Sequence, residues 1–299
     1  MSSSSFSGRN PKNSWTYRVS PVVVKTPEQL ARTAYFHNLS TTNDGIKAAR
    51  ILAAHDLVTP PGHKKTEKDV WRDVGEHHLA QEAAVVSLGW MLGLPDDEIG
   101  ILRTAAKIHD IHKKDEAPAQ KALGERLKAQ PDLDPTEIGR QQQEVTEKFA
   151  SQGQDYLRAA GYSPLTRRIV SADGHMALQR IMAGEASWLE KIFHYAGDVV
   201  SGSSIIPNID HRINPMMTDT KYQARELYSR TLPWTDGKSY YEIQKEVGHQ
   251  LETEIIQHLI AADRLPQEVL TRLEKDPQDL PAIIRLVYLA QVHYHANGH

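Results

Sequence analysis

The sequence predicts an all-α fold, and three observations carry that expectation. Apolar residues recur at three- and four-residue spacing through most of the chain. No segment alternates apolar and polar positions over more than a few residues. The breaks between periodic segments carry helix start and stop residues.

Residues 1–26, rich in Ser, Asn and Pro before a brief Val22-Val23-Val24 run, read as a disordered or extended tail. Thr26-Pro27-Glu28 joins a capping hydroxyl, a proline suited to the first turn and an acid near the positive helix end. Helices are expected over 27–38 and 43–56, with a break at Pro60-Pro61-Gly62. From Glu67 to Gly93 the apolar residues Val70, Val74, Val85, Leu88 and Leu92 keep helical spacing, and Gly93 closes the helix. Pro95, Asp96, Asp97 and Glu98 open the next, whose apolar side is Ile99, Leu102, Ala105, Ala106 and Ile108 and which runs into His109-Asp110.

Residues 115–134 form a polar, insertion-like helix punctuated by Pro118 and Pro131, and a longer helix over 136–160 ends at Gly161. Short helices are expected at 164–175 and 186–203, and Pro207 and Pro215 mark 207–219 as loop. Helices follow at 220–230, 239–262, 266–275 and 279–295. There is no internal repeat. The expected organisation is a tail (1–26), N-terminal helices (27–66), a central helical domain (67–215) and a C-terminal helical extension (216–299) packed on the same domain.

Composition narrows the chemistry. The 299 residues suffice for a large core without covalent staples. Lys and Arg number 35 against 38 Asp and Glu, which is not the basic balance of a nucleic-acid binder. The absence of cysteine excludes a disulfide framework, a zinc ribbon and a thiol nucleophile. Any metal must then be held by His, Asp or Glu, a donor set that admits Mn, Fe, Co, Ni, Zn or Mg. The N-terminus lacks the basic start and apolar run of a secretory signal, and no stretch reaches the roughly 18 apolar residues of a membrane span. A cytoplasmic location is the expectation.

Three pieces carry the candidate chemistry: Glu76-His77-His78, Lys107-Ile108-His109-Asp110-Ile111-His112-Lys113, and Trp188 to Asp198. His109 and Asp110 end an apolar helix face, where polar groups are costly unless paired or metal-bound. Together they offer one ion a nitrogen and a hard oxygen. His77 and Asp198, on other apolar helices, have the chemistry to add two more ligands, leaving positions open for water and substrate. Each residue alone has a plain structural explanation: a chance dipeptide, a core or surface histidine, a helix cap. The signal lies in the set and its spacing.

That set resembles the HD superfamily of metal-dependent phosphohydrolases over residues 66–215. His77 lies 32 residues before His109, with Gly93-Leu94 midway. The segment Leu189 to Val200, followed by Asp210-His211-Arg212, is similar to the family's last motif. The resemblance implies that His77, His109, Asp110 and Asp198 ligate one divalent ion, with His78 as the alternative to His77. Helix phase and the distance to Gly93 favour His77. Lys113, three residues after Asp110, matches the family's phosphate-contacting lysine; the alternative is an exposed lysine beside Lys114. His112 stands where a small residue is common.

Residues 169–198 are similar to the tail of HD-type dinucleoside tetraphosphate hydrolases, in which a histidine follows a short helix and precedes the last motif, and His175 occupies that place. Those dinuclear enzymes use a further histidine after the insertion, and this chain has none from 113 to 174. One ion is therefore favoured, with His175 acting as acid, base or phosphate donor. His175 and His194 remain the candidate ligands of a second ion, packing being the simpler reading of His194. Arg212 would offset phosphate charge or, alternatively, tie down the loop after the last motif.

The implied activity is hydrolysis of a phosphomonoester or phosphoanhydride, with a nucleotide as the substrate class, through a metal-activated water held by Asp110. Two alternatives stand beside it. A di-iron oxygenase on the same fold needs six ligands, and only His175 and His194 are available to complete them. A non-catalytic HD domain would bind a nucleotide or a protein partner, but such members are expected to lose a ligand. The C-terminal extension offers a homodimer or partner surface, and His293, His295 and His299 read as decoration of a polar end.

Overall fold

The computed structural model describes residue 48, residues 74–202 and residues 204–296, without the side chains of 75, 76 and 289–296. The expected helix at 27–38 and the break at Pro60-Pro61-Gly62 lie outside the described residues. Of the helix expected over 43–56, only Ala48 is described; it is helical and fully buried.

The described residues form an all-α fold of twelve α-helices and one short β-ribbon. In chain order these are α1 (Val74–Leu92), α2 (Asp96–Ile108), α3 (Lys113–Lys128), α4 (Pro135–Ala159), α5 (Pro164–Val170), α6 (His175–Met182) and α7 (Trp188–Asp198). The ribbon pairs β1 (Val200–Ser201) with β2 (Ser204–Ile205), antiparallel. Then follow α8 (Ile209–Thr218), α9 (Gln223–Ser229), α10 (Tyr240–Ala262), α11 (Gln267–Lys275) and α12 (Leu280–Ala296).

Local chemistry explains most of the boundaries. Asp134 accepts from the backbone N–H groups of Thr136 and Glu137 and starts α4, with Pro135 in the first turn. Ser163 and Pro164 start α5 in the same way. Ser187 with Glu190, and Ser239 with Glu242, form reciprocal capping boxes that start α7 and α10. Each such cap is worth about 1 kcal/mol.

Three expectations needed correction. The helix expected over 164–175 stops at Val170, and a separate α6 begins at His175 after the turn through Ala172-Asp173-Gly174. The helix expected over 186–203 stops at Asp198, and the chain then turns back through β1 and β2. Strands of two residues are too short for alternation to reveal them. The loop expected over 207–219 is α8. There Asn208 accepts from the His211 N–H as a cap, and Ile209 and Ile213, four apart, are buried. These gains hold the helix despite Pro215 within it.

One apolar cluster joins the elements. It includes Val85 and Leu88 of α1, Leu102 and Ile108 of α2, Phe193 and Tyr195 of α7, Leu251 and Ile255 of α10, and Ile284 of α12. Burying each large aliphatic side chain contributes about 1.5–3 kcal/mol. Residues 240–284 thus share a core with α1, which carries His77, and with α2, which His109 follows. No helix among the described residues is long and apolar enough to cross a membrane.

Candidate metal centre

The short turn Gly93-Leu94-Pro95 packs α1 along α2 and brings the end of α2 back to the start of α1. His77 in the first turn of α1 therefore meets His109 and Asp110 just beyond α2. The two Nε2 atoms stand 3.2 Å apart, and Asp110 Oδ2 lies 4.0 Å from His77 Nε2 and 3.9 Å from His109 Nε2. Among the described residues, these three form the one group of at least three ligand-type side chains within 4.8 Å of one another.

Their orientation is fixed from behind. His109 Nδ1 donates to the Ala106 carbonyl at 3.0 Å, and His77 Nδ1 donates to the Gly202 carbonyl at 3.1 Å. With Nδ1 committed as donor, each neutral imidazole carries its lone pair on Nε2. Two lone pairs thus face each other beside a carboxylate, an arrangement that repels by itself and that a cation relieves. Ligands roughly 2.0–2.2 Å from a common ion stand roughly 3 Å apart at adjacent positions, so the nitrogen pair fits one. The backing carbonyls match the usual support of a metal-binding histidine. Gly202 supplies one of them from the β1–β2 turn, where its φ of +56° is a left-handed conformation that favours glycine.

The electrostatics agree. Burial pushes the Asp110 carboxyl up, but Lys113 and then His109, His77 and His78 together hold it well below the usual carboxylate range. Lys113, at the start of α3, has Nζ 3.8 Å from Asp110 Oδ1 and 3.4 Å from Glu116 Oε2. Asp110 above all holds its ammonium charged, beyond the ordinary lysine value. Burial, followed by the neighbouring His109, lowers the His77 imidazole below its usual value. All these states suit cation binding, which requires neutral histidine and ionised carboxylate. His112 turns toward Glu116, with Nε2 3.5 Å from Oε2.

His78 takes a different place. One residue further round α1, it is fully buried, its ring centroid is 4.7 Å from that of His109, and neither nitrogen has a hydrogen-bond partner among the described residues. Burial holds its imidazole well below the ordinary value. The geometry therefore puts His77 in the group and His78 behind it.

Asp198 is buried at the end of α7 but is not brought into the His77–His109–Asp110 group. Gln244 of α10 donates to its Oδ1, and its Oδ2 lies 3.6 Å from His194 Nε2. His194 is itself anchored by donation from Nδ1 to the Ala172 carbonyl at 2.9 Å. Burial, partly offset by His194 and Arg212, raises the Asp198 carboxyl above its usual range. The carboxylate that does approach the histidines is Asp173, whose Oδ2 is 4.0 Å from His109 Nε2. Arg212 donates to the carbonyls of Gly197 and Val200. It ties down the end of α7, as the loop-tying alternative holds.

His175 sits apart from the group and is built in by the C-terminal helices. Its ring stacks on Tyr240 with centroids 3.4 Å apart and planes 14° apart, and Arg225 Nη2 lies 2.6 Å from its Nε2. That nitrogen is not free for a metal. Arg225 also donates to Gln143 Oε1 at 3.3 Å. It reaches both partners because α9 lies against α4 at Gly139, where an added Cβ would stand 2.0 Å from the Ala224 carbonyl oxygen.

Sequence reasoning missed Asp173, Arg225, Tyr240 and Gln244. Asp173 offered a signal, standing two residues before His175 in Ala-Asp-Gly-His. The other three carried none, since each meets its partner only through the packing of α9 and α10. Comparison with protein-family models, with curated proteins and with solved structures returned no match.

Proposed function

We propose that this chain is a metal-dependent hydrolase of phosphoric esters or anhydrides, of the HD type, with a nucleotide as the substrate class. The observation that carries the reading is the convergence of His77 Nε2, His109 Nε2 and the Asp110 carboxylate, each histidine backed by a carbonyl. His77, His109 and Asp110 would hold one divalent ion, with Asp173 the nearest further carboxylate. Bound there, such an ion supplies a water of lowered pKa and a Lewis-acidic contact to a phosphoryl oxygen.

The chain's own residues do the rest. Asp110, ionised and facing both histidines, would orient the attacking water through a carboxylate oxygen. Lys113 keeps its ammonium beside Asp110 and is exposed enough to meet a phosphate oxygen. Asp198, His194 and Gln244 meet at the end of α7, outside the ligand group.

A test is release of inorganic phosphate from a panel of nucleoside mono-, di- and triphosphates with Mn, Co, Ni, Zn or Mg added singly. Turnover with one of these ions, abolished by chelation and absent in Asp110→Ala, supports the reading. Tight nucleotide binding with no turnover under any ion would replace it with a binding role.

A further inference from the structure

We propose that Arg225 is a positioning residue that fixes His175 as a neutral imidazole protonated on Nδ1, so that His175 presents a hydrogen-bond donor to an anionic oxygen of the ligand. The tautomer stands on geometry alone; the assignment of the anion rests on the phosphohydrolase reading.

A guanidinium has five N–H donors and no acceptor. Its Nη2 lies 2.6 Å from His175 Nε2, so Nε2 must be the acceptor and carry the lone pair. A proton on that nitrogen would set two donors head to head. The remaining proton of a neutral ring is then on Nδ1. Burial and then the Arg225 charge hold the imidazole well below its usual value, in keeping with a neutral ring.

Two contacts keep the pair in place. The Tyr240 ring stacks on His175 and prevents its rotation, and Gln143 Oε1 takes a second N–H of the Arg225 Nη2. Trp234 lies behind Tyr240, with ring centroids 5.8 Å apart. Besides Arg225, the charges felt at the His175 ring are those of His194 and Lys113, which lie toward the metal centre. His175 Nδ1 is buried with no hydrogen-bond partner among the described residues, and an Nδ1–H left over in this way is a donor suited to an oxyanion. His175 is thereby a donor, and neither a general base nor a ligand of a second ion. The consequence for the fold is that α9 and α10, from the C-terminal extension, help to build the site.

Nitrogen NMR of the histidine rings of the full chain at about pH 7 tests this directly. The His175 signals are identified by their loss in His175→Gln. The parent is expected to show a protonated Nδ1 and a bare Nε2. Arg225→Met should lose that preference and Arg225→Lys restore it. Inorganic phosphate should shift the Nδ1 signal, with half-saturation about tenfold weaker in Arg225→Met. A parent ring protonated on Nε2, or on both nitrogens, overturns the proposal even if neither Arg225 variant folds. A correct tautomer that phosphate leaves unmoved overturns its ligand half. Metal content unchanged in Arg225→Met separates either failure from a failure of the hydrolase reading.

Discussion

The two sides of the candidate site are built on different length scales. On one side, His109 and Asp110 are neighbours in sequence and His77 is 32 residues away, across a helix pair joined by a tight turn. On the other, Arg225 reaches His175 over 50 residues and Gln244 reaches Asp198 over 46, each through a helix whose position depends on the whole core. The first side gathers two histidine nitrogens and a carboxylate that together could hold a cation. The second meets Asp198 Oδ1 and His175 Nε2 with protein donors and leaves Asp198 Oδ2, His194 Nε2 and His175 Nδ1 without a hydrogen-bond partner among the described residues. Chemistry that resides in a local pair can be read from sequence, whereas support assembled by packing cannot.

The largest effect should come from the local side. Asp110→Ala should lose the ion and lower turnover by more than about 100-fold, since even indirect supports of metal ligands cost 10–100-fold. Elemental analysis and phosphate release check it. His77→Ala should act similarly without lowering the melting temperature much.

His78→Met should do the opposite and leave metal content intact. Its two partnerless buried nitrogens mean that an apolar side chain of similar size is neutral or stabilising, while His78→Ala should cost about 2–4 kcal/mol by leaving a cavity. Equal metal loss in the His77 and His78 variants would erase the distinction between the neighbours. The sign of the pH effect follows. The folded-state value of His78 lies below its unfolded 6.5, so the unfolded chain takes up protons that the folded chain refuses. Stability should fall as pH drops below 6.5, and less steeply in His78→Met.

This contrast also explains how much was legible. Helical periodicity with Gly93, Pro95 and the acids after it predicts α1 and α2, and hence the placing of His77, His109 and Asp110. Asp198 reads in the sequence as a fourth metal ligand, but it lies outside the His77–His109–Asp110 group, and its bond from Gln244 carried no signal because Gln244 lies on a helix with no motif. Pro215 misled because a proline signals a break locally, while the cap at Asn208 and the burial of Ile209 and Ile213 decide the outcome. Arg225 was invisible because Gly139, which lets α9 approach α4, reads in sequence as one more glycine in a polar helix.

Gly139→Ala probes the long-range side. Its Cβ would meet a backbone carbonyl that no side-chain rotation can relieve, so α9 must shift. A loss of about 1–3 kcal/mol is expected in denaturant unfolding, together with loss of the Arg225–His175 contact and retention of the metal. Metal loss in this variant would show that the two sides are not separable.

The smallest effect lies further out. His249 donates from Nδ1 to Glu252 and from Nε2 to Asp210, both at 2.9 Å, with Lys245 3.2 Å from Asp210 and Tyr195 donating to Glu252. Burial alone would lower the His249 imidazole, but its bonds to Glu252 and Asp210 raise it overall. Its stabilisation is therefore complete below the unfolded value of 6.5 and is lost as pH rises through the folded value, opposite in sign to His78. His249→Gln should cost about 1 kcal/mol at low pH and less at high pH, read from melting temperatures.

The most direct test of the central claim is the metal content of protein purified without a histidine tag, before and after exposure to each candidate ion, for the parent and Asp110→Ala. The account predicts close to one ion per chain in the parent and none in the variant. A parent that retains no ion after any exposure, or a variant that holds as much as the parent, would contradict it.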